Sequence, residues 1–219
     1  MRVTQSRYDG ELDRFHLAIR MLGLQARTST IGRYTGLSSD RIRKAYVSYV
    51  AEHGKNRLPR RKRGRPPSRV AHFFKTRHRH CESTVLVSLF MHAGLLVPDG
   101  PARCRVPGSL SLLSQGRRLC DAYEMHRRMM PGGEMSLELA ATLLRALGET
   151  HELVITECDY CGALYVHDAY ALDYGRSPFC DPPRPDGRAR YQQRKRPHLP
   201  GQFGHESVKA AQGMADRLL

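Results

Sequence analysis

Three cysteines near the end of the chain are spaced as ligands for a metal ion. Cys158 and Cys161 form a Cys-x-x-Cys pair, which offers two thiolates from one short turn, and Cys180 follows nineteen residues after Cys161. That separation is typical of a zinc ribbon, in which a second knuckle supplies the remaining ligands. Ser177 stands three residues before Cys180, where a fourth cysteine is expected. The spacing therefore predicts one Zn²⁺ per chain with an incomplete set of thiolates.

The sequence does not determine which group is the fourth ligand of this predicted site. A neutral serine hydroxyl is a poor zinc ligand, because the alcohol must lose a proton that thiols lose readily. His167 would give a Cys3His site, and a water or an acidic side chain would also complete the shell. The nearby acidic residues are Asp168, Asp173 and Asp181. We expect zinc to be retained with a nonstandard fourth ligand. The alternatives are weakened or lost zinc binding and a redox role for the Cys-x-x-Cys pair.

The other three cysteines, Cys81, Cys104 and Cys120, lie in or beside apolar periodic stretches and are predicted to be small core residues. The N-terminus carries no apolar signal-peptide segment, and no apolar run approaches the ~20 residues that span a bilayer. We therefore expect a cytoplasmic protein with no membrane partner, in which the thiols stay reduced.

Positive charge is the strongest global signal in the sequence. The chain has 36 Lys and Arg against 21 Asp and Glu, a formal net charge of +15 in 219 residues. Basic proteins of this size usually bind a polyanion, and nucleic acid is the commonest one. No nucleophile elbow, P-loop or HExxH motif occurs, so we do not expect an enzyme.

The N-terminal region, residues 1–52, is predicted to be helical. Residues 11–27 carry an apolar stripe at steps of three and four, formed by Leu12, Phe15, Ile19, Leu22 and Ala26. A short helix capped by Thr28, Ser29 or Thr30 is expected next, followed by a turn at Gly36 and a second helix capped by Ser38 or Ser39.

The spacing of Gly32, Gly36 and Ile42 is that of a helix-turn-helix, with a small residue at the crossing and a branched residue buried on the second helix. Arg41, Arg43 and Lys44 are then predicted to point outward toward phosphates or base edges. Ordinary helical hairpins share this pattern, so it is not specific to DNA binding.

A basic loop follows at residues 53–69, with proline and glycine, many cations and no acidic residue. The Arg63-Gly64-Arg65-Pro66 stretch matches an AT-hook core, which binds the narrow minor groove of A·T-rich DNA. Contact with phosphates alone is an equally good interpretation. The predicted nucleic-acid contacts in this loop are Arg60, Arg61, Lys62, Arg63, Arg65 and Arg69. A second set lies in the basic tail, residues 184–219, and comprises Arg190, Arg194, Lys195 and Arg196.

Between these basic segments we predict an α-helical middle domain, residues 70–148, and a zinc-ribbon-like module, residues 149–183. Helices are expected from near Glu82, from about 110 to 130, and from 136 to 147 with Ser136 as its cap. In the module, HELVITE and ALYVHDAY are predicted to be the two strands that flank the first knuckle. The fold class is therefore mainly α.

The order of these parts resembles the FlhC family of bacterial flagellar transcriptional activators. The segments that carry the resemblance are AIRMLGLQARTSTIGRYTGLSSDRIRKAYVSYV, CDYCGALYVHDA and SPFCDPP, and the match runs from about Glu11 to Pro183. The resemblance implies a DNA-binding subunit that assembles with an FlhD-type partner, activates flagellar genes and engages RNA polymerase. It also implies a zinc held by four cysteines, three of which correspond to Cys158, Cys161 and Cys180.

Two features of the chain depart from that family. Ser177 replaces the third cysteine of the family's set, and the arginine-rich loop is longer and more basic. A regulator of other, non-flagellar genes is therefore an alternative. An RNA-binding basic zinc protein is a second alternative, although aromatic residues make up only 7% of the chain and the basic runs contain almost none.

Overall fold

The computed structural model describes residues 3–53, 69–100, 102–172 and 175–180. These residues belong to one compact unit that ends at Cys180, and they are mainly helical, as predicted. The α-helices are α1 (Val3–Gly23), α2 (Thr28–Thr35), α3 (Ser39–His53), α4 (Arg77–His92), α5 (Leu112–Met129) and α6 (Leu137–Gly148), and a 3-10 helix spans Val70–Phe74. The basic tail and most of the basic loop lie outside the described residues.

Four short strands form two antiparallel hairpins in the described part of the chain. β1 (Val97–Pro98) pairs with β2 (Cys104–Arg105), and β3 (Leu153–Glu157) pairs with β4 (Leu164–Asp168). The second hairpin confirms both strands predicted around the first cysteine knuckle, since Leu153 lies opposite Asp168 and Glu157 opposite Leu164. Gly162, with φ of 69°, supplies the left-handed backbone that the turn into β4 requires.

Helix α1 begins and ends earlier than its apolar stripe predicts. The helix ends at Gly23, because Gln25 has a φ of 63° and the Ala26 N–H donates back to the Met21 carbonyl. Burial is greatest on the second half of α1, at Leu17, Ala18, Met21 and Leu22. Leu12, which the stripe placed in the core, is 54% exposed. The prediction was wrong at Leu12, whereas Leu22 and Ala26 of the same stripe are buried and Phe15 packs against the core.

The turn between α2 and α3 has the predicted chemistry. Gly36 caps α2 in the left-handed conformation, and its N–H donates to the Gly32 carbonyl at 2.8 Å. A Cβ on Gly32 would lie 3.4 Å from the Leu37 carbonyl oxygen, and Ile42 is fully buried beside it. Ser38 caps α3 by accepting from the Arg41 N–H at 3.4 Å. The two helices therefore cross closely at a small residue.

The start of α2 is capped by a distant residue, which corrects the prediction that Thr28, Ser29 or Thr30 caps it. The N-cap position is Arg27, whose own side chain makes no cap. Glu138 of α6 instead accepts from the Arg27 N–H at 2.7 Å and from the Thr30 hydroxyl at 2.9 Å. A buried carboxylate 111 positions away thus accepts from the N–H just before α2 and from a hydroxyl in its first turn, and its negative charge is favourable at this end of the helix.

Helices α5 and α6 start close to where the sequence predicts them, whereas α4 starts earlier. Ser111 and Ser136 cap α5 and α6 by accepting from Ser114 and Leu139 N–H groups. Helix α4 begins at Arg77 because Thr76 caps it by accepting from the Arg79 N–H at 3.2 Å. The prediction of a start near Glu82 was therefore wrong by more than one turn.

One hydrophobic core joins elements from α1 to β4. Gly116 shows how close the packing is, because a Cβ there would lie 2.8 Å from both Leu17 Cδ2 and Tyr34 Cβ. Cys104 and Cys120 are buried, as predicted. The β3–β4 hairpin contributes Leu153, Ile155 and Val166 to the same core. No helix in the described ranges combines the length and apolar character needed to cross a bilayer.

Candidate metal centre

The first cysteine knuckle is the turn of the β3–β4 hairpin. Strand β3 ends at Glu157, so Cys158 leaves the ladder while its N–H still donates to the Ala163 carbonyl at 3.0 Å. The Gly162 N–H donates to the Cys158 carbonyl at 2.9 Å and closes the turn. Cys158 is buried and Cys161 is exposed, so the metal centre lies at the surface end of the hairpin.

The second knuckle, residues 175–180, lies against the first. The Asp159 N–H donates to the Gly175 carbonyl at 3.0 Å, and the Gly175 N–H donates to the Tyr165 hydroxyl at 2.9 Å. Within the knuckle, the Cys180 N–H donates to the Ser177 carbonyl at 3.2 Å. These backbone bonds bring Cys180 to the hairpin without a second pair of strands.

The structure brings Cys158, Cys161 and Cys180 together, with their three Sγ atoms within 4.8 Å of one another. Cys158 Sγ and Cys180 Sγ are 3.5 Å apart. All six cysteines are free thiols. Three sulfurs at this separation are close enough to bind one metal ion, so the sequence prediction of a three-cysteine site agrees with the geometry.

Ser177 lies inside the same cluster and is only 4% exposed. Its hydroxyl oxygen is 3.4 Å from Cys161 Sγ and 3.6 Å from Cys180 Sγ. Its N–H donates to Cys158 Sγ at 3.2 Å, a bond of the kind that stabilises a thiolate. Ser177 therefore contacts all three cysteines through either its side chain or its backbone.

The thiols are unequal in acidity without a cation. Burial raises the pKa of the Cys158 thiol, but hydrogen bonds from the N–H groups of Ser177, Cys161 and Tyr160 outweigh burial and lower that pKa to about 6. For Cys180, the Ser177 hydroxyl lowers the pKa, but the Cys158 sulfur and burial oppose it, and the net pKa is raised. Adjacent thiolates repel, so a bound cation is what would allow several to ionise together.

His167 and Asp168 are not among the side chains of this cluster. His167 lies on β4, is 9% exposed, and its Nδ1 is 2.7 Å from the Asp168 carbonyl oxygen. The Asp168 carboxylate accepts from the Tyr170 N–H at 2.9 Å. Asp173 and Asp181 lie outside the described residues.

Helix α4 contacts the backbone of the second knuckle, which the sequence did not predict. Arg77 Nε donates to the Pro178 carbonyl at 2.7 Å, and its Nη2 donates to the Cys180 carbonyl at 2.5 Å. Cys81, one turn along, lies 3.4 Å from the same Pro178 oxygen. His80 reaches the Val166 carbonyl on β4 at 2.5 Å. The i, i+3, i+4 spacing of Arg77, His80 and Cys81 places the three side chains on one helix face, but it does not indicate which distant carbonyl groups they contact.

Replacement of Arg77 by alanine is expected to weaken metal affinity by about 10- to 100-fold, because partners that orient metal ligands typically contribute that much. Arg77→Lys is the matched variant, since it keeps the positive charge but loses the two-pronged donation to Pro178 and Cys180. Competition with a chromophoric chelator measures both affinities. Equal affinities for wild type and Arg77→Ala would contradict the role of this arginine.

The described basic residues predicted to contact nucleic acid differ in what they already contact. On α3, Arg41 is 3.4 Å from the Glu11 carboxylate and stacks 4.9 Å over the Phe15 ring, and Arg43 pairs with Asp40 at 3.1 Å. Lys44 is exposed and makes no ion pair within the described ranges. Arg69 is exposed just before the 3-10 helix. Nine predicted contacts lie outside the described residues: Arg60, Arg61, Lys62, Arg63, Arg65, Arg190, Arg194, Lys195 and Arg196.

Each knuckle also exposes an aromatic side chain immediately before its last cysteine. Tyr160 is 67% exposed and precedes Cys161, and Phe179 is 48% exposed and precedes Cys180. The Arg176 guanidinium lies 4.0 Å from the centre of the Tyr160 ring. The basic runs of the sequence contain almost no aromatic residues, and this pairing lies in the cysteine knuckles instead.

The sequence matches no protein-family model, and no curated protein matches it significantly. Membership of a family is therefore a prediction that rests on the motifs.

Proposed function

We propose that this protein is a non-enzymatic, DNA-binding transcriptional regulator whose C-terminal cysteine module is built around zinc. The observation that carries the proposal is the net charge of +15, with the cations clustered in a loop and a tail. A duplex carries one negative charge per ~1.7 Å of axis, so clustered cations gain affinity by displacing its counterions. The exposed cations of α3, on the second helix of a close helical pair, add a compact basic surface.

The donor set of the cysteine cluster supports zinc as the metal. Thiolates favour soft or borderline ions, and zinc has no redox chemistry and accepts the tetrahedral arrangement that a small cluster provides. The β3–β4 hairpin has five-residue strands, and its end beyond the core is joined to the second knuckle by few bonds. A structural zinc would stabilise that end, which a hairpin alone stabilises poorly.

The resemblance to the FlhC family extends the proposal to a hetero-oligomer with an FlhD-type subunit that engages RNA polymerase. Support comes from the quoted motifs and from their order along a mainly helical chain. Flagellar genes are the targets that the resemblance favours. Ser177 and the long arginine-rich loop favour a divergent member, for which other genes are the alternative targets.

The exposed pair Tyr160 and Phe179 favours a second candidate, an RNA-binding zinc protein. Unpaired bases stack on aromatic rings and on guanidinium planes, and Arg176 over Tyr160 offers both. Duplex DNA does not expose base faces to such a surface. The two candidates therefore predict opposite preferences between duplex and single strand.

A competition experiment decides between the two candidates. The full chain, co-expressed with an FlhD-type subunit, is titrated with labelled duplex promoter DNA and challenged with unlabelled duplex or single-stranded RNA at one salt concentration. We expect duplex DNA to displace the label at the lower concentration. Preferential displacement by single-stranded RNA, lost in a Tyr160→Ala and Phe179→Ala double variant, would overturn the proposal in favour of the second candidate.

A further inference from the structure

We propose that Ser177 Oγ is the fourth ligand of the metal centre, so that this chain binds its metal through three sulfurs and one oxygen. The inference rests on the zinc centre of the proposed function and adds a residue to it. Neither a histidine nor an additional cysteine is required. The site would then be a complete four-coordinate centre with three sulfur ligands and one oxygen ligand, and not a four-cysteine site that lacks one ligand.

Three of the distances between the four donor atoms are close to those of a tetrahedral zinc site, and the three sulfurs all lie within 4.8 Å of one another. Zn–S bonds of about 2.3 Å place two sulfurs about 3.8 Å apart, and a Zn–O bond of about 2.1 Å places an oxygen about 3.6 Å from each sulfur. Cys158 Sγ and Cys180 Sγ are 3.5 Å apart. Ser177 Oγ is 3.4 Å from Cys161 Sγ and 3.6 Å from Cys180 Sγ. The oxygen therefore lies at ligand-to-ligand distance from two of the three sulfurs, beside the position where a fourth thiolate is expected.

The backbone holds Ser177 at that position. Its N–H donates to Cys158 Sγ and its carbonyl accepts from the Cys180 N–H, so the residue is bonded on both sides to ligand residues. Ser177 and Pro178 are buried, and Arg77 of α4 fixes the Pro178 carbonyl. Because these bonds already fix the backbone of Ser177, binding of a metal by its hydroxyl would order little additional backbone.

The competing ligands that the structure describes are less well placed. His167 is absent from the group of donor atoms within 4.8 Å of one another, and its Nδ1 already faces the Asp168 carbonyl. A water as fourth ligand would have to share that position with the buried Ser177 hydroxyl, which is 4% exposed. The serine is thus the group that the fold itself presents.

An oxygen ligand weakens the centre relative to four thiolates. A hydroxyl is a harder and less basic donor than a thiolate, so it contributes less to the binding of a borderline ion such as zinc. Metal occupancy in this chain would therefore respond to the supply of free zinc over a range in which a four-thiolate site stays full.

Cobalt substitution tests the inference directly, because Co²⁺ takes the same tetrahedral site and its thiolate charge-transfer absorption grows with each sulfur bound. Wild type, Ser177→Cys, Ser177→Ala and His167→Ala are loaded with Co²⁺, and zinc affinity is measured by chelator competition. We expect Ser177→Cys to raise the charge-transfer absorption to a four-sulfur level and to tighten zinc binding by roughly an order of magnitude or more. Ser177→Ala should weaken zinc binding and alter the cobalt visible bands, and His167→Ala should change neither.

Three results would overturn the inference. One is a Ser177→Cys spectrum that keeps the three-sulfur absorption, and another is a Ser177→Ala variant with wild-type bands and affinity. The third is a His167→Ala variant with weakened zinc binding and altered bands, which would assign the fourth position to that ring. Duplex DNA binding, measured on the same samples, separates this inference from the proposed function. If the Ser177 variants show none of the expected changes but DNA binding is intact, only the inference is wrong. If the cobalt spectra and zinc affinities change as expected but the protein does not bind DNA, only the proposed function is wrong.

Discussion

Replacement of Cys158 by alanine is expected to reduce bound metal from one ion per chain to none. Cys158 is the most enclosed of the three cysteines, at 3% exposed, and its sulfur lies 3.5 Å from Cys180 Sγ. Structural zinc contributes about 10–16 kcal/mol of apparent binding free energy, and a site with two remaining thiolates keeps little of it. The Ser177 N–H would also lose its acceptor, which removes one of the bonds between the second knuckle and the hairpin. Metal analysis of the purified chain measures the first effect directly.

Cys120→Ala is the matched control for this variant. Cys120 is fully buried in the helical core, on α5, and is not one of the clustered cysteines. Its replacement should cost roughly 1 kcal/mol of stability through a small cavity and leave one metal per chain. Stoichiometric metal in Cys158→Ala, or loss of metal in Cys120→Ala, would contradict the assignment of the centre.

The helical part of the molecule should survive loss of the metal. Leu153, Ile155 and Val166 anchor the body of the β3–β4 hairpin in the common core, and His80 of α4 bonds the Val166 carbonyl. We expect only the two knuckles, residues 158–162 and 175–180, to depend on the metal for their position. Far-ultraviolet circular dichroism of Cys158→Ala should therefore remain helical, while proteolysis becomes easier at the knuckles.

The elements that the sequence predicts well are those whose signals are local. Ser136 caps α6, Gly36 ends α2 and Gly162 turns the hairpin, and each of these signals acts within a few residues. The N-terminal cap of α2 could not be predicted, because Glu138 supplies it from another helix. The start of α4 was missed although its cap, Thr76, is local. The first helical residues, Arg77-His78-Arg79-His80, contain no apolar side chain that would mark a buried stripe.

At the candidate site, too, local spacing could be predicted and contacts from distant elements could not. Spacing alone identified Cys158, Cys161 and Cys180, because a Cys-x-x-Cys turn constrains its own sulfurs and a second knuckle has a typical distance. The fourth position could not be resolved, because Ser177 has the expected spacing but a poor zinc-binding side chain, whereas His167 is a better ligand without that spacing. Arg77 escaped detection because its contacts are to carbonyl groups about a hundred residues away. Long-range backbone contacts leave no pattern in a sequence.

Affinity for duplex DNA is expected to fall by about 10³- to 10⁵-fold between 50 and 200 mM salt if the complex makes roughly 6–10 phosphate contacts. The slope of log affinity against log salt should be about −0.9 for each phosphate neutralised. Replacement of five loop cations by neutral residues should make that slope less negative by several units. The five cations are Arg60, Arg61, Lys62, Arg63 and Arg65. Fluorescence anisotropy of a labelled duplex at four or more salt concentrations gives the slope.

Neutralising Arg41, Arg43 and Lys44 on α3 should flatten the slope by only about one unit, because most of this charge is already engaged. Arg41 contacts Glu11 and Phe15, and Arg43 pairs with Asp40, so phosphate would have to displace these contacts before gaining any affinity. Arg127→Gln with Arg128→Gln, two exposed cations of α5, is the control and should change the slope little. An affinity that does not depend on salt, or a slope unchanged by the five loop substitutions, would show that clustered cations are not what binds the duplex. A larger loss from the α3 set than from the loop set would instead assign recognition to the helical pair.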